Sequence, residues 1–579
     1  MVKITINNKE IEVKEGTTIL EAARAQGIKI PTLCYFDMHD VNFKNNIASC
    51  RVCVVEVEGM NRLLPACATE VQEGWKINTS SARAVQARRH IVELLLSNHP
   101  KDCLSCAKNL DCELQTLAHD LGIRKIRFEG EMSDHPKDSG NASIMKDPNK
   151  CILCKRCKTA CSEMQTVGAL STIGRGFNTY VGSPFNRSMY DTTCTFCGQC
   201  VAVCPTGALV EKSSLGKIWR DLHNPNKVVV VQTAPAVRVA LGEEFGYEPG
   251  TVVTGQMVNA LRELGFKYVF DTNFAADLTI MEEAGELVHR IKHGGRIPML
   301  TSCCPSWVNF FENQFPDLLD IPSSCKSPHQ MFGAMTKSYW AEKMGIDPKD
   351  IAIVSIMPCV AKKYESDRAE LADEGGQNVD YVMTTRELAL MIKEAGINFN
   401  DLDKNGDFDN PMGESAGAGT IFGSAGGVLE AGLRTAYEWL TGEELKAVDF
   451  EALRGLEGTK VANIELPDRT LRVVAVSGLG NARRLLEKIR DGEEHFDVVE
   501  IMACPGGCIA GGGQPYHKGD LSILKKRSEA IYGIDKTKTI RKSHENPSIK
   551  KIYDEFLGEV YGEKAHKYLH THYHAKPRM

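Results

Sequence analysis

The 21 cysteines of this 579-residue chain are its most informative residues, because most of them stand two or three residues apart. In a chain of this kind, thiols in C-x-x-C groups favour metal ligation over disulfides and need a reducing compartment. Cys34, the pair Cys50 and Cys53 in "CRVC", and Cys67 in "PACAT" form a set of four that suits a 2Fe-2S cluster or a zinc ion. His99, Cys103, Cys106 and Cys112 in "HPKDCLSCAKNLDC" offer three thiolates and an imidazole, a donor set used by structural zinc sites. Farther on, "TSCCPSW" sets Cys303 beside Cys304, Cys359 follows "SIMP", and Cys504 and Cys508 flank "PGG". Neighbouring cysteines rarely bind one ion together because their side chains diverge, so Cys303 and Cys304 need separate explanations.

Between these sets lies an internal repeat. "CILCKRCKTAC" supplies Cys151, Cys154, Cys157 and Cys161, and "CTFCGQCVAVCP" supplies Cys194, Cys197, Cys200 and Cys204. Each half reads C-x-x-C-x-x-C-x-x-x-C, the run of bacterial two-cluster ferredoxins, in which the fourth cysteine of each half serves the other half's cluster. The expected ligand sets are Cys151, Cys154, Cys157 with Cys204, and Cys194, Cys197, Cys200 with Cys161. Ser162 stands where that run has a proline, a change to the turn after Cys161 that removes no ligand.

The hydrophobic pattern tells which elements hold these thiols. Val2, Ile4 and Ile6, then "NNK", then Ile11 and Val13 predict a β-hairpin, followed by a helix at "TTILEAARAQG". "ARRHIVELLLSN" is amphipathic and precedes His99. After Trp219 the apolar runs "KVVVVQTAP", "YVFDTN", "RIPMLTSCCP", "DIAIVSIMPC", "LRVVAVSG" and "FDVVEIMACPGGC" alternate with helical stretches, as buried parallel strands in α/β units do. Three of these runs finish in cysteine. Ligands sit beyond the carboxyl ends of such strands, so Cys304, Cys359, Cys504 and Cys508 could close one cubane cluster, with Cys303 left over.

"TSCCPSW", "MPCVAKKYE" and "EIMACPGGCIAGGGQP" resemble the three active-site motifs of FeFe-hydrogenases. The resemblance runs from the amino terminus to about residue 575 and includes the accessory motifs, which the large iron-sulfur subunit of respiratory complex I shares. It implies a multidomain fold: a β-grasp 2Fe-2S ferredoxin-like domain at 1–79, a small helical His/Cys3 4Fe-4S domain at 80–125, a two-cluster ferredoxin domain at 126–215 and a two-lobed α/β H-cluster domain at 216–579. The cofactors implied are one 2Fe-2S cluster, three accessory 4Fe-4S clusters and an H-cluster. In the H-cluster, Cys304, Cys359, Cys504 and Cys508 hold a 4Fe-4S part, and Cys508 bridges to a two-iron unit carrying carbon monoxide, cyanide and a dithiolate amine. By the same resemblance Lys362 and Ser302 lie near the cyanides, Met357 and Met502 pack on the two-iron unit, and Glu365 pairs with Lys362. Cys303 passes protons to the amine, and Glu283, Ser323, Glu286 and Arg290 continue the relay. Glu283, Glu286 and Arg290 share one helical face by their spacing, a pattern that without these neighbours reads as a surface ion-pair stripe.

The implied reaction is the reversible conversion of two protons and two electrons to dihydrogen. The implied partners are ferredoxin, a flavin- or NAD(P)-binding subunit, or both, together with machinery that builds the two-iron unit. The wording of the motifs favours the catalytic subunit of an NAD(P)-linked, electron-bifurcating type of complex over a monomeric ferredoxin-dependent enzyme. A complex-I-like electron-transfer subunit would lack the motifs after Trp219. A hydrogen sensor would tend to lose the relay, and a hydrogenase-like assembly factor would lack the two-iron unit.

The formal charge of -6, from 69 lysines and arginines against 75 aspartates and glutamates, gives no basic excess for nucleic acid. No apolar stretch has the ~20 residues of a spanning helix, and no leader pattern opens the chain, so a cytoplasmic protein is expected. The nearest approach to a dinucleotide fingerprint, "GLGNAR" from Gly478, is incomplete. Cys325 carries no cluster and reads as a small buried residue. His329 stands where FeFe-hydrogenases often have glutamine. The histidines of "HKYLHTHYHAKPRM", His566, His570, His572 and His574, read as a solvated or docked tail or as a metal site.

Overall fold

The computed structural model describes residues 1–38, 43–45, 47–373 and 375–576. At the amino terminus Val2–Ile6 and Lys9–Val13 form the hairpin, and the helix Ile19–Ala25 follows. Thr18 caps that helix by a reciprocal pair: its hydroxyl accepts from the Glu21 N–H, and the Glu21 carboxylate accepts from the Thr18 N–H. The hairpin extends into a five-stranded sheet ordered Lys9–Val13, Val2–Ile6, Lys76–Asn78, Val54–Val57 and Leu64–Pro65, with Val2–Ile6 parallel to Lys76–Asn78. The helix Ala82–Ser97 is pinned to it by buried Arg88, whose guanidinium donates to the Val54 carbonyl at 2.7 and 3.1 Å.

The cysteine repeat forms two matching halves joined by the antiparallel strands Ile144–Lys146 and Leu209–Glu211. Each half carries a one-turn helix, Arg156–Thr159 or Gln199–Ala202, entered through a left-handed residue at the same place in the repeat: Lys155 at φ +65° and Gly198 at φ +72°. That turn swings the second and third cysteines of each half toward one point. In the second half only glycine fits, because a Cβ on Gly198 would lie 2.3 Å from Val360 Cγ2.

Beyond Trp219 the chain builds two four-stranded sheets. One is wholly parallel, in the order Tyr268–Asp271, Val228–Thr233, Ile351–Met357, Tyr381–Thr384. The other runs Met299–Leu300, Val498–Met502, Thr470–Ser477, Thr459–Glu465, its last strand antiparallel. All six apolar runs read from the sequence are strands. The two strands that reading missed, Tyr381–Thr384 and Thr459–Glu465, lie at sheet edges. Thr459–Glu465 exposes alternate residues, the pattern of an antiparallel edge strand with one wet face. Ile351–Met357 is buried at every position. The helix Thr272–His293 is likewise buried through most of its first four turns, Glu282, Glu283 and Glu286 included, so its acidic residues are not a surface stripe. No helix among the described residues is long and apolar enough to cross a membrane.

Candidate active site

Strand ends bring five thiols together. Met299–Leu300 runs parallel to Val498–Met502 in the register Met299↔Val498 and Leu300↔Val499, so Cys303, Cys304 and Cys504 leave the same end of one sheet. Cys359 leaves the other sheet two residues after Met357. Cys508 follows a tight reversal in which Gly507 takes φ +100°, and a Cβ there would stand 2.4 Å from the Ala425 nitrogen. The five thiols line one cavity whose space for water centres is ≈ 80 Å³, with Met357 and Met502 on its wall. Lys362 and His329 are the charged or titratable side chains that join them on that wall.

Lys362 reaches this cavity from the short helix Ala361–Glu365. Its ammonium donates to the Cys303 carbonyl at 3.0 Å and to Glu365 at 2.8 Å. Glu365 also meets His329 Nε2 at 2.6 Å, and His329 Nδ1 lies 3.3 Å from the Ser355 hydroxyl. Burial opposes charge on Glu365, yet Lys362 and His329 together hold its carboxyl down at about 2. Burial, and then the Lys362 charge, push His329 down to about 4, so near neutral pH it is an uncharged ring that donates from Nε2 to the carboxylate. The three side chains therefore carry one net pair of charges inside a dry wall.

The opposite side of Cys303 is acidic. Burial, and then the neighbouring Glu283, push the Cys303 thiol well above its ordinary range, so it keeps its proton. Burial also lifts Glu283 to about 8, against the Ser302 N–H that donates to it at 3.4 Å. Glu286 accepts from the Ser323 hydroxyl at 3.0 Å, the Ser324 N–H at 3.0 Å and Arg290 at 2.5 Å. Ser302 lies one layer back from the thiol cavity: its hydroxyl donates to the Cys325 carbonyl at 2.7 Å, and it lines a smaller neighbouring space. Cys325 is buried in the core.

Three residues around the site escaped the sequence reading. Glu500 is fully buried and accepts from the N–H groups of Gly426 and Leu429 at 2.6 and 2.7 Å; its charge also raises Cys303 and Glu283. A lone acid inside the apolar run "DVVEIM" was the available signal, since an unpaired buried carboxylate is costly. Gln165 donates to the Ala503 carbonyl at 2.8 Å, and Asn309 donates to the Cys194 carbonyl at 3.0 Å. These two tie the cysteine repeat to the catalytic cavity. Cys197 lies close enough to Cys359 and Cys504 for their charges to influence one another.

The accessory thiols also gather in sets. Cys34, Cys50, Cys53 and Cys67 are all buried and make sulfur contacts, Cys34 with Cys50 and Cys67, and Cys53 with Cys67. Cys204 shares a small cavity with Cys151, Cys154 and Cys157, while Cys161 neighbours Cys194, Cys197 and Cys200. His99 Nδ1 is bonded to the Pro100 carbonyl at 3.0 Å, which leaves Nε2 buried without a partner. A histidine that ligates a metal characteristically donates its other ring N–H to a carbonyl in this way. These donor sets, and the sulfur-lined cavities, fit the iron-sulfur groups that the spacing calls for.

Comparison with known proteins agrees with this layout. "Iron only hydrogenase large subunit, C-terminal domain" matches residues 227–512 and "Iron hydrogenase small subunit" residues 521–576. Ahead of them, a "2Fe-2S iron-sulfur cluster binding domain" matches 1–82, an "NADH-ubiquinone oxidoreductase-G iron-sulfur binding region" 88–127, and an "NADH-quinone oxidoreductase subunit 3, ferredoxin-like domain" 141–210. The chain is 54% identical to NADP-reducing hydrogenase subunit HndD of Solidesulfovibrio fructosivorans over 100% of both chains. It is 40% identical to iron hydrogenase 1 of Clostridium pasteurianum, over 99% of this chain and 100% of the relative. The solved FeFe-hydrogenase HydA1 of Chlamydomonas reinhardtii superposes with a TM-score of 0.57 at 45% identity, covering 63% of this chain and 99% of its own. A chain that aligns end to end with the first two of these relatives, and that gathers five thiols at the ends of two sheets, belongs to the iron-only, or FeFe-, hydrogenases.

Proposed function

We propose that this hydrogenase is the catalytic subunit of a multimeric NADP-linked enzyme. The observation that carries this reading is the full-length likeness to a relative named as a subunit of an NADP-reducing hydrogenase. The chain itself offers no complete dinucleotide fingerprint, so a partner subunit supplies the nicotinamide chemistry. We assign Cys304, Cys359, Cys504 and Cys508 to the H-cluster, and the four amino-terminal sets to one 2Fe-2S and three 4Fe-4S clusters in domains at 1–79, 80–125 and 126–215.

When bound, the H-cluster supplies low-potential electrons and an open iron position at which protons and dihydrogen interconvert. The protein's part is to hold that group, exclude water and move protons. Met357, Met502 and the apolar wall keep water out. Lys362 fixes the Cys303 backbone from the opposite lobe and places one positive charge on the wall where anionic ligands would sit. Cys303 stays a thiol beside the site, and Glu283, poised near 8, takes or returns its proton. Ser323, Glu286 and Arg290 stand beyond it. Electrons reach the site from the Cys161, Cys194, Cys197 and Cys200 set, which abuts Cys359 and Cys504.

Purification of the native protein tests the assembly. A flavin-containing partner should travel with this chain, and hydrogen-dependent NADP reduction should need both. An isolated chain that exchanges electrons only with ferredoxin, with no partner recovered, would support the monomeric alternative instead.

A further inference from the structure

The relay just described ends at Arg290, and a guanidinium is a poor end for one. It stays protonated at every pH the protein meets, so it can fix Glu286 but can neither accept nor release a proton. Arg290 is occupied in just that way, donating to Glu286 and to the carbonyls of Arg296, Ile321 and Pro322. A second branch leaves the same carboxylate. Glu286 Oε2 accepts from the Ser324 hydroxyl at 3.2 Å, and that hydroxyl lies 2.8 Å from His570 Nδ1. His570 Nε2 meets Glu282 at 2.9 Å, and Glu282 is held by the Tyr553 hydroxyl and the Tyr561 N–H.

An independent measure of proximity agrees: atoms of Glu286, Cys325 and His570 lie within 4.8 Å of one another. Both ring nitrogens and the Glu286 oxygens already have hydrogen-bond partners, so the cluster is arranged for protons and not for a metal ion. The ring of His570 lies 4.1 Å from that of exposed His566, tilted by 33°, and 8% of His570 reaches solvent. The titratable or charged groups around it are Glu282, Glu286, Arg290, Cys325, Tyr553, Tyr561, His289 and His566.

We propose that His570 is the group that carries protons outward from Glu286, through Ser324 and on to Glu282, and that Arg290 only holds Glu286 in place. This rests on the relay through Glu283 and Glu286 proposed above. The transfer balances without a co-reactant. Protonated Glu286 gives its proton to Ser324 Oγ as the Ser324 hydroxyl proton passes to His570 Nδ1; one O–H bond is lost and one N–H bond gained. The imidazolium then gives its Nε2 proton to the Glu282 carboxylate, which it meets at 2.9 Å; one N–H bond is lost and one O–H bond gained. No electron moves.

The test compares Glu286→Gln, Ser324→Ala, His570→Gln, His570→Gly and the double variant Ser324→Ala/His570→Gln in the matured chain, with infrared spectra checking that the active site is intact. Ser324→Ala and His570→Gln should each slow turnover about tenfold or more. The double variant should be no slower than the slower single one, and free imidazole should restore part of the rate of His570→Gly. A second readout needs no two-iron unit: the ¹⁵N shifts of the His570 ring, which report the hydrogen bonds at its two nitrogens, should change when Glu286 becomes Gln. Full turnover in His570→Gln alongside a slow Glu286→Gln overturns this branch and spares the relay. Full turnover in Glu286→Gln overturns the relay itself. A slow His570→Gln with no imidazole rescue and no change in those ring shifts makes His570 a structural anchor and also overturns the proposal.

Discussion

Lys362 Nζ donates to the backbone carbonyl of Cys303 at 3.0 Å, a single bond that joins the segment after one parallel sheet to the thiol-bearing turn after the other. The same ammonium is paired with Glu365, and all three groups are buried.

Removing this charge while keeping the volume should therefore be expensive. Lys362→Met leaves Glu365 charged, buried and supported by His329 alone, a change on the order of 3–5 kcal/mol for a broken buried pair. We expect a clearly lower unfolding midpoint in a thermal melt and weaker retention of the two-iron unit. A melt that matches the parent chain would mean that the pair contributes no stability to the site.

Cys303 and Cys508 should fail in different ways. Cys303→Ala removes a thiol held in its protonated form by burial and Glu283, so the infrared signature should persist while turnover falls by about two orders of magnitude or more. Cys508→Ala should lose the signature of the two-iron unit altogether. Full activity in Cys303→Ala would remove it from the proton path.

Glu283 predicts a pH dependence with a definite sign. Its carboxyl is raised in the fold from 4.5 to about 8, so the folded chain binds a proton that the unfolded chain releases. The associated stability is fully present below the ordinary carboxylate range and is lost as pH rises through about 8. Glu283→Gln should flatten that part of the stability curve and also abolish most turnover. A parent chain whose melting temperature does not fall between about pH 5 and about pH 9 relative to the variant contradicts the assignment.

His99 Nε2 is buried and has no partner, which suits an iron ligand. His99→Ala should lower the iron content by about four atoms per chain and remove one reduced-cluster signal from the paramagnetic resonance spectrum, leaving the others. An unchanged iron content would return His99 to a purely structural role.

The cysteine sets were legible because metal chemistry fixes both residue type and spacing. Cys151 through Cys204 need no fold to be recognised, and the apolar runs before Cys304, Cys359 and Cys504 reveal the strands that carry them. The charge environment was not legible, because it depends on contacts distant in sequence. Glu283, Glu286 and Arg290 have the spacing of a surface stripe, and only the packing of Thr272–His293 between its neighbours buries both acids. His329 comes within 2.6 Å of Glu365 across a separation of 36 residues, and His570 meets Glu282 across 288. Neither distance leaves a local pattern. Ser302, adjacent to Cys303 in sequence, donates its hydroxyl to the Cys325 carbonyl, a contact across 23 residues that the sequence does not reveal either.

The central claim is that four thiols at the ends of two sheets, those of Cys304, Cys359, Cys504 and Cys508, hold an H-cluster, and that with Cys303 beside it the site converts protons to dihydrogen. The most direct measurement is infrared spectroscopy of the matured chain together with hydrogen evolution from a low-potential dye. We predict stretching bands of bound carbon monoxide and cyanide and dye-driven evolution of hydrogen. A matured chain carrying its iron-sulfur clusters but showing neither the bands nor the gas would contradict it.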